Sequence, residues 1–275
     1  MDLKIGSINV RGLGDQVKRR EIFNWLRAKK YSVHFIQEIH FTENNKNDWL
    51  AEWGYQALFS CWTSKKAGVV ILFNNNFTFQ ISKTYSDPEG RFIICDLTLN
   101  KNQLTRTNIY APNNDDSNFF TSVFSHLADF KCDEIIIGGD FNLVLDVEKD
   151  KKGGLARTHK KSLEVINSAS ESLDLIDAWR VLNPDSSRVT WRQKKPESHC
   201  RLDFFLINQC TFCNIINAEI LAGQLSIWQR RGIVKLIPKK DAELILIKNW
   251  RPLTLLNCGL HQKPLQVVSK LFFQS

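Results

Sequence analysis

The 275-residue chain has no run of roughly 18 apolar residues, so no segment reads as a membrane-spanning helix. Its start, MDLKIGSINVRG, lacks the charged-then-apolar order of a secretory signal. The chain is therefore expected to be intracellular, in nucleus or cytoplasm, and not secreted. No segment recurs at a period of about 20 to 50 residues, which excludes solenoids and propellers. Cys210 and Cys213 form a lone CxxC without a second half-site, and His199 and Cys200 lie upstream at no standard zinc spacing, so ordinary thiols near a strand end are the simpler reading. Seven cysteines, an odd number spread over the whole length, suit a reducing compartment better than a disulfide framework. Gly138 and Gly139 are followed by no Gly-Lys-Ser/Thr, so no nucleotide cofactor is expected.

What is present is globular. Hydrophobic residues make up 43% and charged residues 24%, close to the averages for packed domains, and the length suits one sizeable domain. The 37 Lys+Arg against 29 Asp+Glu give a net charge of +8, unevenly placed. Residues 227–275 hold nine basic and two acidic side chains, which leaves residues 1–226 at only +1. Net charge of the main body thus gives no argument for a nucleic-acid partner; local patches would have to supply one.

Short apolar runs of strand type alternate with amphipathic runs of helix type. Strands are expected at 3–10, 33–38, 67–73, 77–85, 91–99, 104–110, the segment EIIIGGD, 201–207 and 214–221. Helices are expected over 16–30, where Ile22, Trp25, Leu26 and Lys29 share a face, and over 117–130 and 160–174. More strands than helices, with several hairpin-like neighbours, favour two packed sheets flanked by helices.

Polar residues fall at strand ends in a recurring way. Asn9, Glu38, Tyr110, Asp140 with Asn142, and Asp203 each lie at or near an end of an apolar strand, and a single Asp in such a place is ordinarily a turn former. If the ends gather at one edge, three carboxylates and two amides converge. Such an oxygen-rich set suits Mg²⁺ or Mn²⁺ and implies phosphoryl transfer.

In order and spacing, SINVRGL, FIQEIH, NIYAPN, IIIGGDFN, VTWRQ and RLDFFLI resemble the endonuclease/exonuclease/phosphatase superfamily, most nearly the endonuclease domain of LINE-type retrotransposons. The resemblance covers residues 1–226 and implies a four-layer α/β/β/α sandwich of two mostly antiparallel mixed sheets. It implies Glu38 as the metal ligand, with Asn9 organising the metal and its waters. Tyr110 would contact the scissile phosphate, Asp140 would manage protons, and Asn142 would orient the phosphate. Thr190 and Trp191 match a pair near the DNA backbone; Arg201, Lys151 and Lys152 are expected as further DNA contacts. Asp203 matches the aspartate that buttresses a C-terminal catalytic histidine.

That histidine has no counterpart, because the chain runs AEILAGQLS to Ser226 and then reads IWQRR where Ser-Asp-His should follow. His34, His40, His126, His159 and His199 all precede the slot, and His261 lies far beyond it. QRRGIVKLIPKK and LIKNWRPLTLLN resemble the first segment of the reverse transcriptase in the same elements, so residues 227–257 are expected to be a fused fragment and 258–275 an unassigned tail. The sheet is expected to lack its last strand. Three readings follow: a Mg²⁺-dependent, monomeric DNA phosphodiesterase of endonuclease type with impaired catalysis, a non-catalytic nucleic-acid-binding remnant, or a chain that does not fold. The four tryptophans Trp25, Trp49, Trp53 and Trp62 are read as core rings before base-stacking ones.

Overall fold

A computed structural model describes residues 3–62, 67–99, 102–130, 133–154, 159–221, 235–238, 250–253 and 268–273. The first half contains β1 (Lys4–Asn9), α1 (Gln16–Lys29), β2 (Val33–Gln37), α2 (Lys46–Trp53), β3 (Ala57–Ser60), β4 (Val69–Phe73), β5 (Gln80–Ser86), β6 (Phe92–Leu99), β7 (Asn102–Tyr110) and α3 (Ser117–Leu127). It continues through β8 (Glu134–Asp140), α4 (Val147–Asp150), β9 (Lys151–Gly153), α5 (Lys160–Ser172), β10 (Leu175–Asp177) and α6 (Ala178–Leu182). Then come β11 (Trp191–Lys194), β12 (Glu197–Cys200), β13 (Asp203–Asn208), α7 (Gln209–Phe212) and β14 (Ile215–Leu221). The last described strands are β15 (Lys235–Pro238), β16 (Trp250–Leu253) and β17 (Val268–Phe273).

Two six-stranded sheets run β14-β17-β1-β2-β4-β3 and β10-β13-β8-β7-β6-β5. Only the pairs β1–β2 and β7–β8 are parallel among the described ladders; the rest are antiparallel. Period-two alternation decides the layers. Along β4, Val69, Ile71 and Phe73 meet Ile93, Cys95, Ile136 and Phe205 of the other sheet, while Val70 and Leu72 face outward. Ile22, Phe23, Leu26, Trp49 and Trp53 of α1 and α2 cover that outer face. On the far side, Phe120, Val123 and Leu127 of α3 and Ile166 of α5 cover Ile94, Ile109, Ile137 and Phe204. The expected α/β/β/α sandwich is therefore present. No helix among the described residues is long and apolar enough to cross a membrane.

The helix α1 starts at Asp15, whose side chain accepts from Lys18 N, and ends at Lys30 in the left-handed region. Its buried positions are Arg19, Ile22, Phe23 and Leu26, so Phe23 takes the place expected for Trp25. Gly138 and Gly139 lie inside β8 and bring layers together: a Cβ on Gly138 would strike the Phe205 ring, and one on Gly139, at φ 140°, would strike the Ile109 carbonyl. In the middle of the sandwich, Gln37 Nε2 donates to Ser7 Oγ (3.0 Å) and Asn108 Oδ1 (2.7 Å), and Asn108 Nδ2 donates to the Ile36 and Val70 carbonyls. This amide pair bridges the two sheets directly behind Glu38 and Tyr110.

One expectation about the fold is corrected. The place between β14 and β1 is filled by β17, antiparallel to both, with Lys4 opposite Phe272 and Ala218 opposite Leu271. A segment of the tail that sequence left unassigned thus completes the sheet. The boundary at 226, and most of the 227–257 segment apart from the antiparallel pair β15–β16, lie outside the described residues.

Candidate active site

Three strands of the second sheet end in one row. Tyr110 of β7 is the register partner of Asp140 in β8, and Asp140 is that of Asp203 in β13. Register partners project to the same face with Cβ atoms about 5 Å apart. That face is the inner one, since Tyr110 packs in the inter-sheet core. From the first sheet, Asn9 Nδ2 donates to Glu38 Oε2 and to Asp140 Oδ2, both at 3.0 Å. Only the nitrogen end of an amide can serve two carboxylates, so its oxygen points to the backbone and accepts from Arg11 N at 3.0 Å. The convergence expected from the strand ends is present in the structure.

Four non-glycine residues around this row have positive φ: Arg11 (51°), Glu38 (56°), His40 (53°) and Asn142 (52°). Each left-handed residue costs on the order of 1 kcal/mol, and such strain concentrates where geometry is functional. Asp140 Oδ1 accepts from Asn142 N (3.1 Å), while Asn142 Nδ2 donates to the Ala111 carbonyl (2.7 Å). Burial, followed by the charges of Glu38 and Asp140, raises the Tyr110 phenol well above its ordinary range, and its hydroxyl donates to Glu38. The phenol therefore stays a donor at any working pH.

Several side chains lie elsewhere than expected. Thr190 is fully buried and its Oγ1 accepts from the Leu202 and Asp203 N–H groups, which fixes the start of β13. Arg201 is 1% exposed, with Nε and Nη2 on Asp150 (2.8 and 2.6 Å) and Nη2 also on Asp177. That corrects its expected DNA contact: the guanidinium holds α4, β10 and the β12–β13 connection together. Trp191 is half-buried at the start of β11, while Lys151 and Lys152 lie on β9, paired with Cys200 and His199. Of the tryptophans, Trp49 and Trp53 are core rings and Trp62 is 50% exposed. Cys210 and Cys213 are exposed free thiols.

Sequence reasoning missed four residues here. Gln37 and Asn108 form the bridge behind the site, His40 Nε2 lies 3.6 Å from Glu38 Oε1, and Arg11 faces the carboxylates. FIQEIH and NVRGL carry the signal for His40 and Arg11, each two positions from Glu38 or Asn9. The donor set is compatible with a hard cation held by Glu38 with Asn9 steadying it. Among the described residues no three of His, Cys, Asp and Glu group together as a metal site.

Residues 6–213 match the Endonuclease/Exonuclease/phosphatase family. The chain belongs to that family. Over 194 residues the family member is 29% identical to the transposon TX1 uncharacterized 149 kDa protein of Xenopus laevis, a match covering 70% of this chain and 15% of that protein. Among solved structures, it resembles the AP endonuclease LMAP of Leishmania major (TM-score 0.72, 12% identity, 100% of this chain, 88% of that one). The endonuclease domain of TRAS1, a telomere-specific non-LTR retrotransposon, superposes with a TM-score of 0.63 at 10% identity, covering 99% of each chain. A 3′ phosphatase of Neisseria bound to product DNA hairpin gives 0.68 at 15% identity, covering 99% of this chain and 100% of that one. These structures share the sandwich.

Proposed function

We propose that this chain is a phosphodiesterase of endonuclease type that acts on DNA with Mg²⁺ or Mn²⁺. The observation that carries the reading is the row Tyr110–Asp140–Asp203 meeting Glu38 through the Asn9 amide. Asp140 has both oxygens held, one by Asn142 N and one by Asn9 Nδ2, which fixes the carboxylate that would take a water proton. Tyr110 donates to Glu38 and fixes it against Asn9. Glu38 would hold the cation, with the Asn9 amide nitrogen steadying its carboxylate, and the cation would supply charge to polarise the phosphate. Asn142 orients the phosphate beside Asp140. Arg201 and Thr190 act at one remove, by setting the loop that delivers Asp203.

We take substrate and context from the relatives: a transposon protein, an AP endonuclease and the endonuclease domain of a non-LTR retrotransposon share this family or fold. If the Ser-Asp-His that the sequence lacks after Ser226 has no substitute, nicking should run about a hundredfold or more below an intact relative, since one acid–base or charge-stabilising group usually contributes that much. The test compares nicking of supercoiled plasmid in Mg²⁺ with gel-shift binding in EDTA. Nicking that EDTA and Glu38→Gln both abolish supports the reading. Binding without any nicking would instead support a non-catalytic remnant.

A further inference from the structure

The turn after β1 is mounted on the site with unusual firmness. Val10 N donates to the Gln37 carbonyl, Gly12 N to the Glu38 carbonyl and Leu13 N to the Ile39 carbonyl, so the turn follows the left-handed bend that exposes Glu38. Lys18 Nζ reaches up from α1 and donates to the Val10 (2.8 Å) and Arg11 (3.0 Å) carbonyls. Gly12, at φ 83°, packs so closely on the His40 ring that a Cβ there would meet Nδ1 at 2.8 Å. Between these anchors Arg11 has a positive φ, its N–H on Asn9 Oδ1, and a half-buried side chain. Burial lowers the guanidinium pKa, and Glu38, Asp140, Asp203 and Tyr110, in that order, act against it. The side chain thus lies within electrostatic reach of every acidic group of the site.

Three carboxylates in one cleft repel a phosphodiester. A single divalent cation leaves the cluster one negative charge in excess, and the substrate brings another. A guanidinium has a planar fork that matches two phosphate oxygens and keeps its charge even when partly buried. We infer that Arg11 is a substrate-contacting residue whose guanidinium binds the scissile phosphate and stabilises its developing charge. The inference rests on the phosphodiesterase reading of the same site. The competing role is that of a counter-ion that holds the carboxylates in place and never meets substrate.

The test uses the full chain, Arg11→Ala, Arg11→Lys and Asp140→Ala, with Arg11→Gln as a longer-stemmed substitute if the alanine variant does not fold. Binding of a fluorescein-labelled 20-base-pair duplex in EDTA is followed by anisotropy against salt, which needs no turnover. Loss of one phosphate contact should flatten the log–log salt slope by about 0.9 in Arg11→Ala, with Arg11→Lys near wild type. Plasmid nicking should fall about a hundredfold in Arg11→Ala, and added guanidinium should restore part of it in that variant and none in Asp140→Ala. An unchanged salt slope together with wild-type nicking in Arg11→Ala, while Asp140→Ala is dead, would overturn the Arg11 assignment and leave the phosphodiesterase standing. Full nicking by Asp140→Ala would overturn the phosphodiesterase mechanism itself, whatever the Arg11 slope shows.

Discussion

The inter-sheet amide pair gives the sharpest link between stability and the site. Asn108 is fully buried, accepts from Gln37 Nε2 at 2.7 Å and donates to the Ile36 and Val70 carbonyls at 3.1 and 2.9 Å. Asn108→Leu keeps the volume and removes all three bonds. At about 1 kcal/mol for each bond, plus roughly 1 to 3 kcal/mol for the stranded Gln37 amide, the loss is about 4 to 6 kcal/mol. Apolar burial of the leucine offsets roughly 1 to 2 kcal/mol, leaving about 3 kcal/mol. For a chain of this size that lowers Tm by roughly 6 to 12 °C. Urea unfolding should show a lower midpoint with an unchanged slope. Gln37→Leu combined with Asn108→Leu should cost less than the two single changes added, because removing both partners strands neither. Because Gln37 precedes Glu38 and Asn108 lies two residues before Tyr110, nicking should fall in the single variant even well below its Tm. A cost under about 1 kcal/mol, or simple additivity in the double variant, would refute the bridge.

Three further outcomes follow from buried groups and from the added strand. His34 is 1% exposed beneath Tyr31 and Trp53, and burial lowers its pKa from 6.5 to about 3. Below pH 6.5 the unfolded chain takes up a proton that the folded chain refuses, so stability falls with pH, by about 2 kcal/mol at pH 5. His34→Phe should remove that component, and urea midpoints of the two proteins at pH 7 and 5 check it. Arg201→Met leaves Asp150 with Arg180 as its remaining cation and strips Asp177 of its guanidinium, and should cost about 3 kcal/mol in urea unfolding, with no change in the salt slope of DNA binding. Ending the chain after Ser226 removes β17 from between β1 and β14, at four and six register positions. The loss is on the order of 5 kcal/mol, read as a much lower or non-cooperative thermal transition; an unchanged transition would show that β17 is dispensable.

How much of this was legible in sequence depended on range. β4 was readable because VVILF is apolar on both faces of a central strand, and β1, β2, β7, β8 and β13 were readable because each apolar run has a polar residue at or beside one end. Those same endings marked Asn9, Glu38, Tyr110, Asp140 and Asp203. Arg201 was misread because a cation beside a strand looks like a surface contact until Asp150 and Asp177, distant in the chain, are placed around it. The structural role of Thr190 was hidden likewise, since its partners are backbone amides of a neighbouring loop. Gln37 and Asn108 look like ordinary strand residues, and only the packing of one sheet on the other makes them a pair. The short helix α2 has two buried tryptophans but little else of amphipathic pattern, and β17 becomes a strand only through the slot between β1 and β14.

The most direct test of the central claim is nicking of supercoiled plasmid by the purified full chain and by Asp140→Ala, each with Mg²⁺ and with EDTA. The site geometry predicts slow nicking by the wild type that requires Mg²⁺ and disappears in a folded Asp140→Ala variant. Nicking that persists in EDTA, or equally in Asp140→Ala, would contradict the assignment of the Tyr110–Asp140–Asp203 row as the catalytic centre.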